Sequence, residues 1–203
     1  MAYDDFEDGT INRWTAFTTA GGAFAASTSA KKYGNYGGRM TTDGTGDAET
    51  AIYYDDEISG GSCNVYAWMR TSNVNGRAVF QTVTTSTNGL IRIYEGKFQY
   101  VKGPTYTYTD FATTPQNDTW YRLRISYDGT KVNHYIYDAN NTLLESVLDI
   151  TPYRTGDMIV VYIEAHDWVA SVYTVDWDNV CYTDTEEPAP PVTGQYMTGL
   201  KYW

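Results

Sequence analysis

Trp120-Tyr121-Arg122-Leu123-Arg124-Ile125-Ser126-Tyr127, with Asp128-Gly129 behind it and then Lys131 to Tyr137, is the stretch that decides how this chain folds. Arg122, Arg124 and Ser126 alternate with Leu123 and Ile125. A period of two puts the polar side chains on one face of a strand and the aliphatic ones on the other, so one face is buried and one is wet. Asp128-Gly129 carries hairpin chemistry, because a tight turn needs positive φ and glycine supplies it cheaply. The spacing predicts two neighbouring antiparallel strands.

Working outward, Cys63 to Arg70, Arg77 to Val83, Leu90 to Tyr94, Lys97 to Val101, Met158 to Glu164 and Ser171 to Tyr182 read as further short strands, several of them alternating in the same way. Glu95-Gly96 predicts a second two-residue turn, and Asp138 to Asn141 a four-residue polar loop. The chain is rich in strand and turn residues, with 20 Tyr and 18 Gly, and no helical stretch separates the strands. Short strands at close spacing predict an all-β fold, an antiparallel two-sheet sandwich. No internal repeat is present.

Residues 1–183 read as this sandwich domain and residues 184–203 as an extended C-terminal arm. Thr183 to Val192 is acidic and Pro-rich, as in a linker, yet Tyr196, Met197, Leu200, Tyr202 and Trp203 bring apolar side chains back. Such an arm suits docking, either back on its own domain or on another subunit, where it adds a strand to the neighbour's sheet.

A formal net charge of −11 repels phosphate backbones and anionic lipid, which argues against nucleic acid and membrane-surface partners. No apolar run reaches the ~20 residues of a spanning helix, so membrane insertion is not expected. Met1 to Glu7 lacks a basic and an apolar leader region and is not a signal peptide. The expectation is that a leader was removed or that the protein leaves the cytoplasm by another route, such as inside a virus particle. Cys63 and Cys181 make neither a disulfide scaffold nor a thiolate zinc site; two inert buried thiols and one inter-strand bridge both fit.

Three stretches carry a family resemblance. Asp5-Phe6-Glu7-Asp8-Gly9 with Trp14 and then Tyr33 to Gly38 resembles the opening of concanavalin A-like and laminin-G-like sandwiches and of jelly-roll carbohydrate-binding modules. Asn117 to Gly129 resembles a hairpin of that superfamily, and Val175-Asp176-Trp177-Asp178-Asn179-Val180 its last strand. The resemblance implies a jelly-roll fold. It also implies a structural Ca2+ joining the first and last strands, with Glu7 and Asp178 as the matching ligands.

Lectin-like sites use aromatic rings as platforms for the apolar faces of sugars. Tyr66 and Trp68 alternate with Val65 and Ala67 and are the first candidates; Tyr94 and Trp168 follow, with Tyr100, Tyr106 and Tyr108 placed less securely. Catalysis fits worse. Glycanases of this superfamily carry two acids alternating on one strand, and neither Asp55-Asp56-Glu57 nor Asp176-Trp177-Asp178 reproduces that pattern. Jelly-roll polysaccharide lyases combine Tyr, His, Arg and Gln, types present here without a recognisable spacing. His134 and His166 lie in different strands.

The expectation is therefore a lectin-like binding or structural protein without enzymatic activity. It would belong to a surface assembly such as a virus or phage head decoration, fibre or tail, on a virion or an extracellular surface. Its partners would be copies of itself or other assembly proteins, reached through the C-terminal arm, and cell-surface or other polysaccharide. The alternatives are a carbohydrate-binding module of a secreted glycanase, and a glycan hydrolase or lyase.

Overall fold

The computed structural model describes residues 2–18, 22–45, 48–54, 62–83, 87–153, 160–166 and 171–183. In chain order the strands are β1 (Ala2–Asp4), β2 (Trp14–Thr18), β3 (Ala23–Ser27), β4 (Gly37–Thr41) and β5 (Ala48–Tyr54). Next come β6 (Cys63–Thr71), β7 (Arg77–Val83), β8 (Thr87–Tyr94), β9 (Lys97–Lys102) and β10 (Thr107–Asp110). The last are β11 (Tyr121–Tyr127), β12 (Val132–Tyr137), β13 (Leu143–Ile150), β14 (Val160–His166) and β15 (Thr174–Thr183).

They form two antiparallel sheets. The first runs β13-β12-β11-β6-β15-β4-β3, with β1 also on β15; the second runs β10-β9-β8-β7-β14-β5-β2. Every pairing between neighbours is antiparallel and several join distant parts of the sequence, which is the jelly-roll sandwich expected from the sequence. β15 shows how both chain ends are drawn in. Its first half pairs with β4 over Thr174–Trp177, its second half with β1 over Val180–Tyr182, and a bulge separates the two around Asp178 and Asn179.

The sheets bury the aliphatic and aromatic side chains of each strand's inner face. Leu123 and Ile125 of the deciding stretch are 0% exposed, and they share the core with Val65, Ala67, Phe80, Ile91, Ile163 and Trp177. Burial of each large side chain contributes about 1.5–3 kcal/mol, which sets the register, because a slip of one residue would turn all of them outward. His134 sits in this core too, fully buried, its ring 5.5 Å from that of Tyr100 on the opposite sheet.

The local expectations hold in part. Glu95 and Gly96 both take positive φ, 49° and 74°, and close the β8–β9 hairpin as predicted. Asp128-Gly129 does not make a two-residue turn. Four residues separate Tyr127 from Val132, because the Asp128 carboxylate accepts the Thr130 and Lys131 N–H groups and stabilises a longer loop. β13 was not anticipated: its leucines Leu143, Leu144 and Leu148 are 49%, 45% and 53% exposed, and two bulges against β12 blur its alternation. Cys63 and Cys181 are buried thiols not joined in a disulfide, and burial pushes Cys63 up to about 12. Residues 184–203 and Asp55 to Glu57 lie outside the described residues.

Candidate functional site on the outer face of the second sheet

On β14 the alternation turns Val161, Ile163 and Ala165 into the core and Tyr162, Glu164 and His166 outward. On β7 the outward set is Arg77, Val79 and Gln81, and on β8 it is Leu90, Arg92 and Tyr94. The register lines them up. Glu164 lies opposite Val79, Val79 opposite Arg92, Arg92 opposite Gln99, and Gln99 opposite Asp110. One row running across five strands therefore carries polar and charged groups. A neighbouring row carries Tyr162, Gln81 and Leu90.

This face has a floor and a wall. Val79, Leu90 and Val101 form a small apolar cluster outside the main core, and Tyr106, Tyr108 and Tyr153 pack on it. Tyr106 meets Tyr108 and Tyr153 edge-on at 5.5 and 5.0 Å. Arg92 ties wall to row: its guanidinium carbon lies 3.3 Å from the Tyr108 ring centre and 4.8 Å from that of Tyr94. Its Nε donates to Gln99 Oε1 at 2.8 Å, and Gln99 Nε2 donates to Asp110 at 2.7 Å. Tyr94 and Tyr108 keep half-buried rings, an apolar body with a wet edge.

At the other end of the row Arg77 Nε stands 3.0 Å from Glu164, the Tyr162 hydroxyl donates to Glu164 at 2.5 Å, and His166 Nδ1 is 3.7 Å away. Burial alone would raise the Glu164 carboxyl; His166, Arg77 and Tyr162 outweigh it and hold the group below the ordinary carboxylate range. Tyr173 fixes the backbone beneath. Its hydroxyl accepts the Arg77 and His166 N–H groups at 3.0 and 2.9 Å and lies 2.8 and 2.5 Å from their carbonyls. Gly76 leaves room for that ring, since a Cβ there would come within 2.6 Å of it.

Tyr94 thus falls on this face. Tyr66 and Trp68 do not: they occupy the outer face of the first sheet, as their alternation predicts, yet are only 6% and 2% exposed. Lys32 and Tyr33 cover Trp68, at 4.8 Å to the ring and 5.7 Å between rings, and Arg122 lies over Tyr66 at 4.7 Å. They are packed rings, not open platforms. Trp168 lies outside the described residues. Tyr162, Arg77, Arg92 and Gln81 went unnoticed because only strand pairing makes them neighbours; the outward alternation of β7 and β14 was the available signal.

Glu7 and Asp178 grip the loop that covers Trp68. Glu7 Oε1 accepts the Asn35 and Tyr36 N–H groups at 2.6 and 2.8 Å, and Asp178 Oδ2 accepts those of Lys32 and Tyr33 at 2.7 and 2.8 Å. Burial pushes Asp178 up to about 7, against the pull of these N–H groups. Calcium takes six to eight oxygen ligands. Here the carboxylates face N–H donors, and among the described residues no group of three or more acidic, His or Cys side chains gathers for a metal. A calcium held by Glu7 and Asp178 would draw its further oxygen ligands from the backbone.

No family model and no curated protein matches the chain. Solved structures do. A "Sialidase" superposes with TM-score 0.71 at 9% identity over 91% of this chain, which spans 18% of the sialidase's length. "Cellulose induced protein, Cip1" gives 0.69 at 14% identity, covering 91% and 98% of the two chains. An endo-beta-1,4-glucuronan lyase from the fungus Trichoderma reesei gives 0.65 at 12%, covering 91% and 95%. At such identities the likeness is one of fold: the chain is a jelly-roll β-sandwich.

Proposed function

We propose that the chain is a lectin-like, non-catalytic binding protein whose glycan site is the outer face of the second sheet. One observation carries this: half-buried tyrosine rings stand over an apolar floor beside a row of guanidinium, carboxamide and carboxylate groups. Sugars present apolar ring faces and polar edges to such a surface. The finer reading is a component of a virus particle or another extracellular surface assembly, joined to copies of itself or other assembly proteins through residues 184–203. The apolar residues of that segment and the exposed leucines of the β13 edge support it. A polysaccharide panel, run by affinity electrophoresis with the wild type and Tyr94→Ala, tests the glycan site. Retardation by at least one polymer, weakened in the variant, is expected; no retardation by any polymer overturns the reading. Light scattering with and without residues 184–203 tests the assembly, and two monomers would overturn it in favour of a glycanase-derived binding module.

A second reading has its own observation. Tyr162, His166, Arg77 and Gln81, the side-chain types that polysaccharide lyases combine, lie on adjoining strands of this face. Against catalysis, hydrolysis needs two placed carboxylates, and Glu164 is held ionised by three partners, which makes it a weak base. Accumulation of unsaturated uronate product, abolished by Tyr162→Phe, would establish the lyase instead.

A further inference from the structure

The charges on this face do not balance locally. Arg77 and Arg92 project from neighbouring strands of the second sheet, and among the described residues the carboxylate that meets them at ion-pair distance is Glu164, on Arg77. Arg92 is 6% exposed and spends its Nε on Gln99, a neutral acceptor. Asp110, beyond Gln99, is bonded to Lys97. Arg92 thus lies largely stripped of water with no carboxylate at ion-pair distance among the described residues, on a protein whose formal net charge is −11. Burial pulls Arg92 below its ordinary range, and Arg77 pushes it further the same way. A buried cation is costly unless it meets an anion, and a guanidinium whose Nε is occupied still offers its Nη edge for a bidentate contact.

We infer that the glycan taken by this face bears a carboxylate, as uronic-acid and sialic-type sugars do, and that Arg92 beside Arg77 receives it while Tyr94 and Tyr108 lie against the sugar. This rests on the glycan-binding reading and sharpens it to a substrate class. A neutral sugar would leave that guanidinium as it stands. A carboxylate pairs with it and matches the planar fork.

The experiment titrates the full chain by calorimetry with a polyuronate, the same polymer after carboxyl reduction, and a sulfated neutral polysaccharide. The expected result is binding of the polyuronate at least about tenfold tighter than of its reduced form. Arg92→Gln should erase that preference, and Arg92→Lys should keep part of it. If Arg92→Gln fails to fold, the wild-type comparison of native and reduced polymer still decides. Equal affinity for both polymers, or a preference for the sulfated one, overturns the carboxylate assignment and leaves a sugar-binding face standing. No binding of any polymer overturns both.

Discussion

The two outer faces of the sandwich use the same residue types to opposite ends. On the first sheet Asp176, 2% exposed, clamps Arg39 at 2.7 Å and Arg70 at 2.6 Å, and Trp68 and Tyr66 are sealed beneath Lys32, Tyr33 and Arg122. On the second sheet Arg77 is matched by Glu164 while Arg92 is not matched by a carboxylate among the described residues, and tyrosine rings stay half open. The difference lies in what covers each face. The loop at residues 31–36 is held down by Glu7 and Asp178, so the first face is a second layer of packing. Among the described residues, the floor of the second face carries Tyr106, Tyr108 and Tyr153, which stay half-buried.

Both faces depend on the core they share, and His134 makes that core sensitive to acid. Burial lowers His134 to about 3, against an ordinary value of 6.5. The unfolded chain therefore binds a proton that the folded one refuses. Stability should be level with respect to this group above pH 6.5 and fall by about 1.4 kcal/mol per unit between there and about 3. Asp178, pushed up to about 7 in the folded chain from an ordinary 3.8, works the opposite way over much of that range. The check is therefore the difference between wild type and His134→Phe in urea melts, which should shift against the wild type by about 1.4 kcal/mol per unit as pH falls from 6.5.

Trp68→Ala should cost about 3–5 kcal/mol of stability and leave glycan affinity unchanged, as expected of a packed ring. Reduced affinity in a folded Trp68 variant would move part of the site to the first face. Asp176→Asn should cost about 2–3 kcal/mol, kept to the low end because both arginines reach solvent, again with binding intact. Tyr94→Ala should do the reverse, with the melting midpoint nearly unmoved and glycan affinity down about fivefold to tenfold. The smallest effect concerns the Glu7–Asp178 grip. Melting midpoints with calcium and with a chelator should coincide, and a rise with calcium would show that the 31–36 loop rearranges around an ion.

Much of this architecture was legible along the chain. Strict alternation in Tyr121–Tyr127, the strand character of Arg77–Val83 and the Glu95-Gly96 turn are local properties that survive into the fold. The β13 strand was not legible, because a bulged edge strand with one wet side carries no clean period. Tyr66 and Trp68 show the limit from the other direction. Their alternation correctly put them on the outer face, but a loop more than thirty residues earlier in the chain covers Trp68, and Arg122 from a neighbouring strand covers Tyr66.

By itself, then, the sequence determined the strands, their inward faces and the two-sheet class, because side-chain period and turn chemistry act between residues a few positions apart. Which outward residues become a site was decided only by the tertiary structure. Arg77, Arg92 and Tyr108 meet through the consecutive pairing of β7, β8, β9 and β10, whereas Glu164 reaches Arg77 through the pairing of β14 with β7, segments far apart in the chain, which no local spacing encodes.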